Sequence, residues 1–184
     1  MKRTVFLLLV VVLCNFVHTT LFPKSINVRK FDSSVGVRFI GSRYALTGEA
    51  VSSAGDFDGD NFADFCIASS NAYGGSGCVY VVYGRPDCQK EFGSDFNLSA
   101  ASTTGGLMRL FIGEGKLHLS EAIVPIGDFN DDGFDDLLVS VPYWSVFILF
   151  GKPRSVDPEA LYLNSNATTN SAIQIVSNFS VNSM

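Results

Sequence analysis

Asp56, Asp58, Asp60 and Asp64 fall within nine residues of GDFDGDNFADFCIAS, and Asp128, Asn130, Asp132 and Asp136 repeat the spacing in GDFNDDGFDDLLVS. Like charges this close repel one another, so the arrangement needs a cation to be tolerable. Counted from the first aspartate, oxygen side chains stand at positions 1, 3, 5 and 9. Alternate spacing in a tight loop turns the first three inward. The carbonyl of position 7, Phe62 or Phe134, joins them, and position 9 closes the set. Six or seven hard oxygens in a flexible geometry suit Ca²⁺, whereas Mg²⁺ demands a stricter octahedron and softer metals prefer nitrogen or sulfur. Position 6 is Asn61 in one loop and Gly133 in the other, and both tolerate the left-handed backbone of a sharp turn. The expectation is two structural Ca²⁺ sites. The alternative, polar turns with no metal, is weakened by the recurrence in register. An EF-hand is excluded, because its position 12 needs a bidentate Glu between helices, and here that position is Ile67 or Val139, each in a strand-like run.

The elements that must position these loops also recur. FIGSRYALTGEAVSSAGDFDGDNFADFCIAS starts at Phe39 and FIGEGKLHLSEAIVPIGDFNDDGFDDLLVS at Phe111, so that Glu49 and Glu121, Gly55 and Gly127, Asp64 and Asp136 are each offset by 72 residues. Each copy closes alike, with CVYVVYGRPD from Cys78 and SVFILFGKPR from Ser145, and AIQIVSNFS from Ala172 resembles the start of a third copy. The apolar runs 65–69 and 137–141 have strand length. CVYVVYG and SVFILFG are aromatic and β-branched on both faces. Gly-rich AYGGSG and the shorter Pro142-Tyr143-Trp144 stand where hairpin turns belong. Leu21 to Asp32 reads as a further strand, and 85–106 and 152–171 read as polar connectors. No long helical period is present.

Composition narrows the function. The net charge of −5 excludes nucleic acid as a partner, since phosphate binding needs a basic face. Half of the 18 aspartates and glutamates lie in 56–64 and 128–136, so the acidity is local. Lys2 and Arg3 precede an apolar run from Thr4 to Leu13, which reads as a signal peptide ending near residue 19. An uncleaved signal anchor is the alternative, and no later segment is long and apolar enough to span a bilayer. Export places the cysteines in an oxidising compartment. Cys14 leaves with the signal. Cys78 and Cys88 flank a strand and are the disulfide candidates, and Cys66 inside a strand is expected to be a buried thiol. Asn97, Asn166 and Asn178 head sequons and are candidate glycosylation sites in a eukaryotic source.

The repeat start Phe-Ile-Gly, the loops GDFDGDNFAD and GDFNDDGFDD, and the closing VYVVYG and VFILFG resemble the FG-GAP repeats of integrin α-subunit head domains. The likeness spans roughly residues 36–155. It implies an all-β fold, a partial β-propeller of about two blades plus the start of a third, in which each repeat builds a four-stranded blade and the Asp loop binds Ca²⁺ in a hairpin. Carried over by position, the ligands are Asp56, Asp58, Asp60, the Phe62 carbonyl and Asp64, and Asp128, Asn130, Asp132, the Phe134 carbonyl and Asp136. The layout expected is a signal peptide at 1–19, a strand or linker at 20–35, repeat 1 at 36–87, a connector at 88–106, repeat 2 at 107–154, and a connector with the start of a truncated repeat at 155–184. A closed propeller takes at least four blades. The expectation is therefore a fragment of a longer protein, an assembly of several copies, or a remnant.

The function expected is an extracellular, calcium-binding adhesion or ligand-recognition module, secreted or at the cell surface, whose partner is a protein or glycan. Similar repeats also occur beside a phospholipase D, so a propeller segment of a secreted hydrolase is one alternative, and a structural assembly unit is another. Against an enzyme, His118 is a lone histidine outside the signal region, GGSG lacks the strand-to-helix setting of a nucleophile elbow, and no His/Cys cluster suggests zinc. The many phenylalanines and Trp144 are expected in the inter-blade core.

Overall fold

Apolar runs alternating with glycine and aspartate breaks leave the chain no helical period, and its backbone pairs between strands. The computed structural model describes residues 36–86, 92–99, 106–115, 117–119, 121–142, 145–154, 160–163, 168–169 and 172–176. The expected signal segment, residues 20–35, Cys88, Trp144, Asn166 and Asn178 lie outside these. The described residues hold twelve strands: β1 (Arg38–Ile40), β2 (Thr47–Gly55), β3 (Asp64–Ser69), β4 (Cys78–Val82), β5 (Asp95–Asn97), β6 (Met108–Gly113), β7 (Ile123–Gly127), β8 (Asp136–Val141), β9 (Ser145–Leu149), β10 (Leu161–Leu163), β11 (Thr168–Thr169) and β12 (Ala172–Val176). Among them no helix is long and apolar enough to cross a membrane.

Two sheets form the blades. The first runs β10-β6-β4-β3-β2 and the second β11-β12-β9-β8-β7. Within each blade the four main strands are antiparallel neighbours. This is a partial β-propeller. The hydrogen-bonded blade is offset from the sequence repeat. Phe111-Ile112-Gly113, read from sequence as the start of the second repeat, lies in β6 and closes the first blade against β4. The third-copy-like AIQIV is β12 and closes the second blade against β9. The first Phe-Ile-Gly supplies β1, which lies outside both blades and pairs in parallel with β5. The connectors also carry short strands that sequence left as polar linkers: β10 pairs in parallel with β6, as β5 does with β1.

Pleating divides each blade into two faces. One core cluster lies between the blades, with Ala54, Cys66, Val81 and Phe111 from the first meeting Leu137, Val139 and Phe147 from the second. A second cluster covers the other face of the first blade, where Ile67, Tyr80 and Leu110 meet Val37, Phe39 and Leu98. Phe39, Phe57, Phe111 and Phe147 are fully buried, each worth about 2–3 kcal/mol of apolar transfer. The outer face of the second blade is less covered. Val124, Leu138, Ile148 and Ile173 line up across it in one cross-strand row, and Val124, Ile173 and nearby Ile175 are exposed.

Candidate metal centre

Each aspartate loop bridges the first two strands of a blade, β2 to β3 and β7 to β8. Both inner strands break register as they enter, at Ser53/Gly55 and Pro125/Gly127, and such a bulge re-aims the chain. The loops then fold by one hydrogen-bond scheme. Asp56 accepts the amides of Asp60 and Asn61 at 2.9 Å each, and Asp128 accepts those of Asp132 and Gly133 at 2.9 and 2.8 Å. Position 5 accepts the amide of position 7, Asp60 from Phe62 at 2.9 Å and Asp132 from Phe134 at 3.1 Å. Position 6 is left-handed as expected, with φ of 66° at Asn61 and 89° at Gly133. Position 4, which sequence did not single out, is left-handed too, at Gly59 and Asp131.

Position 9 anchors the loop to the blade. Asp64 accepts the amides of Phe57 at 2.8 Å and Gly84 at 2.7 Å, and Asp136 accepts those of Phe129 and Gly151 at 2.9 Å each. Gly84 and Gly151 are the glycines of YGRP and FGKP, a role in the loop that their sequence context does not reveal. A Cβ at Gly84 would lie 2.3 Å from the Ala63 carbonyl oxygen, and one at Gly151 would lie 2.4 Å from that of Asp135. Both carboxylates are buried. Burial pushes Asp64 up to about 7, with repulsion from Asp58 adding to it and the Gly84 and Phe57 amides opposing. Burial raises Asp136 as well, against the pull of its amide donors.

The donor set fits a hard divalent cation. Ligand oxygens of Asp56, Asp58 and Asp64 lie within 4.8 Å of one another, and backbone amides already hold the carboxylates converged. Asp56, Asp58, Asp60, the Phe62 carbonyl and Asp64 would hold the ion in the first loop; Asp128, Asn130, Asp132, the Phe134 carbonyl and Asp136 would do so in the second. A bound ion would supply charge neutralisation and cross-linking. Two features escaped the sequence. Arg154, from the end of the second repeat, forms ion pairs with Asp58 and Asp60. Residues of the second repeat also clasp the first loop: Asp56 exchanges hydrogen bonds with Asp135, and the Lys152 amide donates to the Phe57 carbonyl at 2.9 Å.

Other sequence candidates sit elsewhere. Asn97 is exposed at the end of β5. Cys66 is a buried thiol that donates to the Ser52 carbonyl at 3.3 Å, and burial raises its pKa to about 12. Cys78 is buried in β4. His118 lies in the β6–β7 connection, its amide donating to Gly75. The end of the blade opposite the first aspartate loop carries the β1–β2 connection and the β3–β4 hairpin, tied by the Asn71 side chain donating to the Tyr44 carbonyl at 2.7 Å. There Tyr44 and Tyr73 are 71% and 49% exposed. Their φ angles of 66° and 51° put large side chains in a region they rarely adopt, a conformation that the surrounding structure must impose.

Residues 122–155 match the FG-GAP repeat family. The chain is also 29% identical over 108 residues to integrin alpha-8 of Gallus gallus, a match covering 59% of this chain and 10% of the relative. The chain thus spans about a tenth of the length of the curated relative it matches.

Proposed function

We propose that this chain, which carries an FG-GAP repeat match and is similar to an integrin α subunit, is an extracellular, calcium-binding propeller portion that acts as a non-catalytic adhesion or ligand-recognition module. The observation that carries the calcium reading is the pair of aspartate loops, which share one hydrogen-bond scheme, the first with ligand oxygens of Asp56, Asp58 and Asp64 converged. Calcium is structural in this reading: it fixes the β2–β3 and β7–β8 connections, and the free end of the blade meets the ligand. Exposed Tyr44 and Tyr73 supply amphipathic area of the kind binding surfaces use. The partner is a protein or glycan outside the cell, reached through the signal peptide at 1–19. Asn97, Asn166 and Asn178 carry glycans where the host makes them, and Cys78 pairs with Cys88.

The row Val124, Leu138, Ile148 and Ile173 supports a companion reading. The equivalent face of the first blade, carrying Cys66 and Val81, is buried against the second blade. We assign this row, exposed at Val124 and Ile173, to a further blade or a second copy of the chain.

Thermal melts with Ca²⁺ and with chelator test the metal, and retention of the chain on arrays of extracellular-matrix proteins and glycans tests the ligand. The expected result is a higher melting temperature in Ca²⁺ and calcium-dependent retention lost in Tyr44→Ala/Tyr73→Ala. An unchanged melt would remove the calcium reading, and no retention on any array would remove the recognition reading.

A further inference from the structure

The two loops differ in one position and in one visitor. Position 3 is Asp58 in the first and Asn130 in the second, so the first ligand set carries four carboxylates and the second three. In the second loop the Asn130 amide donates to Oδ2 of Asp132 at 2.9 Å. In the first loop the same atom of the matching residue, Oδ2 of Asp60, takes Nη2 of Arg154. Nε of Arg154 pairs with Oδ2 of Asp58, whose side chain is fully buried. The guanidinium is held from behind as well. It lies 4.9 Å from the Tyr83 ring centroid, and Nη2 donates to the Gly84 carbonyl at 3.1 Å. Arg154 belongs to no repeated pattern, since the matching position in YGRPD is Asp87.

We propose that Arg154 is a built-in counter-cation of the first loop, which holds that loop closed without metal and competes with calcium for its carboxylates. The inference rests on the calcium reading. Its physical basis is the charge count. A guanidinium on Asp58 and Asp60 offsets the one carboxylate by which the first set exceeds the second. It makes the loop's fold independent of metal, and it repels an arriving divalent ion. Affinity at such sites follows ligand charge and rigidity. Removing the arginine therefore restores a four-carboxylate site. The clasp has a second consequence. Arg154 follows β9, so its pairing with Asp58 ties the end of the second blade to the entry of the first whether or not calcium is present.

The test is calcium calorimetry on the full chain and on Arg154→Gln, each also in an Asp132→Asn background that isolates the first loop and an Asp60→Asn background that isolates the second. The expected result is that Arg154→Gln tightens the first site by roughly tenfold and leaves the second unchanged. A first-site constant that is unchanged or weaker in Arg154→Gln, while the second loop still binds, overturns the role of Arg154 and leaves the calcium reading standing. No heat in any chain overturns the calcium reading itself, and this inference with it. Should Arg154→Gln fail to fold, Arg154→Lys reads the same constant: it keeps the charge and loses the two-pronged contact, so a smaller tightening supports the proposal and none overturns it.

Discussion

The amide of Asp135 donates to the carbonyl of Asp56 at 3.2 Å, while the Asp135 carboxylate accepts the amide of Asp56 at 2.7 Å. Position 8 of one loop is thereby paired, in both directions, with position 1 of the other. Asp135 is in neither ligand set, which makes it a clean probe of the coupling between loops. Asp135→Ala leaves the part-buried Asp56 amide without its acceptor, a loss of about 1–3 kcal/mol. The expected outcome in urea denaturation with chelator is a lower midpoint, with Asp135→Asn recovering most of the loss because its amide oxygen still accepts. Equal midpoints for all three chains would show that the two loops fold independently.

Gly151 gives a steric test of the same junction. A Cβ there would lie 2.4 Å from the Asp135 carbonyl oxygen and 2.7 Å from both Phe134 Cβ and the Phe57 carbonyl oxygen. Two of these contacts are backbone, so relief requires the loops to part. Gly151→Ala is expected to cost about 1–3 kcal/mol as an overpacking substitution, read as a lower thermal midpoint. It also draws the Gly151 amide away from Asp136, so calcium binding at the second loop weakens alongside stability. A melt like that of the parent chain would mean that the junction is loose enough to accept a methyl group.

Residue spacing made the loops legible. Positions 1, 3 and 9 converge in the first loop, and position 6 is left-handed in both copies, because the turn that brings them together is set mainly by local backbone geometry. Phe-Ile-Gly opens the sequence repeat but not the hydrogen-bonded blade, for a different reason. A repeat found by self-similarity has no fixed starting point, and only strand pairing shows that Phe111 to Gly113 finishes the first blade. The short strands β5 and β10 escaped because parallel pairs at an outer edge need few residues and leave no clear periodicity. Arg154 and Asp135 escaped because their partners are 96 and 79 residues distant. Long-range polar contacts leave no trace in spacing.

Asp64 sets the pH dependence of the first loop. Burial raises its carboxyl to about 7, against about 3.9 in an unfolded chain. Between those values the folded chain keeps a proton that the unfolded chain has lost, so without metal stability falls as pH rises through the window. Below it both states are protonated and above it both are ionised, and this contribution is flat. Calcium requires the ionised carboxylate, so its affinity rises over the same interval. Melting temperatures in chelator are expected to decline from pH 5 to 7, and saturating Ca²⁺, which keeps Asp64 ionised in the folded chain as it is in the unfolded one, is expected to flatten the slope. A rising midpoint in chelator would place the Asp64 pKa below the unfolded value and remove this account.

Arg109 offers a test of the inter-blade core. It is 3% exposed, and none of its guanidinium nitrogens has a hydrogen-bond partner among the described residues. Its side chain extends beside the Phe57 ring, 5.8 Å from the centroid, and such a contact returns about 2 kcal/mol at most. An unpaired buried charge costs several kcal/mol even after relaxation. Arg109→Met keeps much of the length, removes the charge and gives the Phe57 ring a thioether neighbour. The expected gain is about 1–3 kcal/mol, and each 1 kcal/mol raises the midpoint by roughly 2–4 °C in a chain of this size. Arg109→Lys keeps the charge without the planar face and is expected to gain nothing. If Arg109→Met melts below the parent chain, the guanidinium is compensated in the folded protein and its burial is favourable. The same melts in Ca²⁺ separate the two sources of junction stability: a gain from Arg109→Met that persists at saturating calcium belongs to the core and not to the loops.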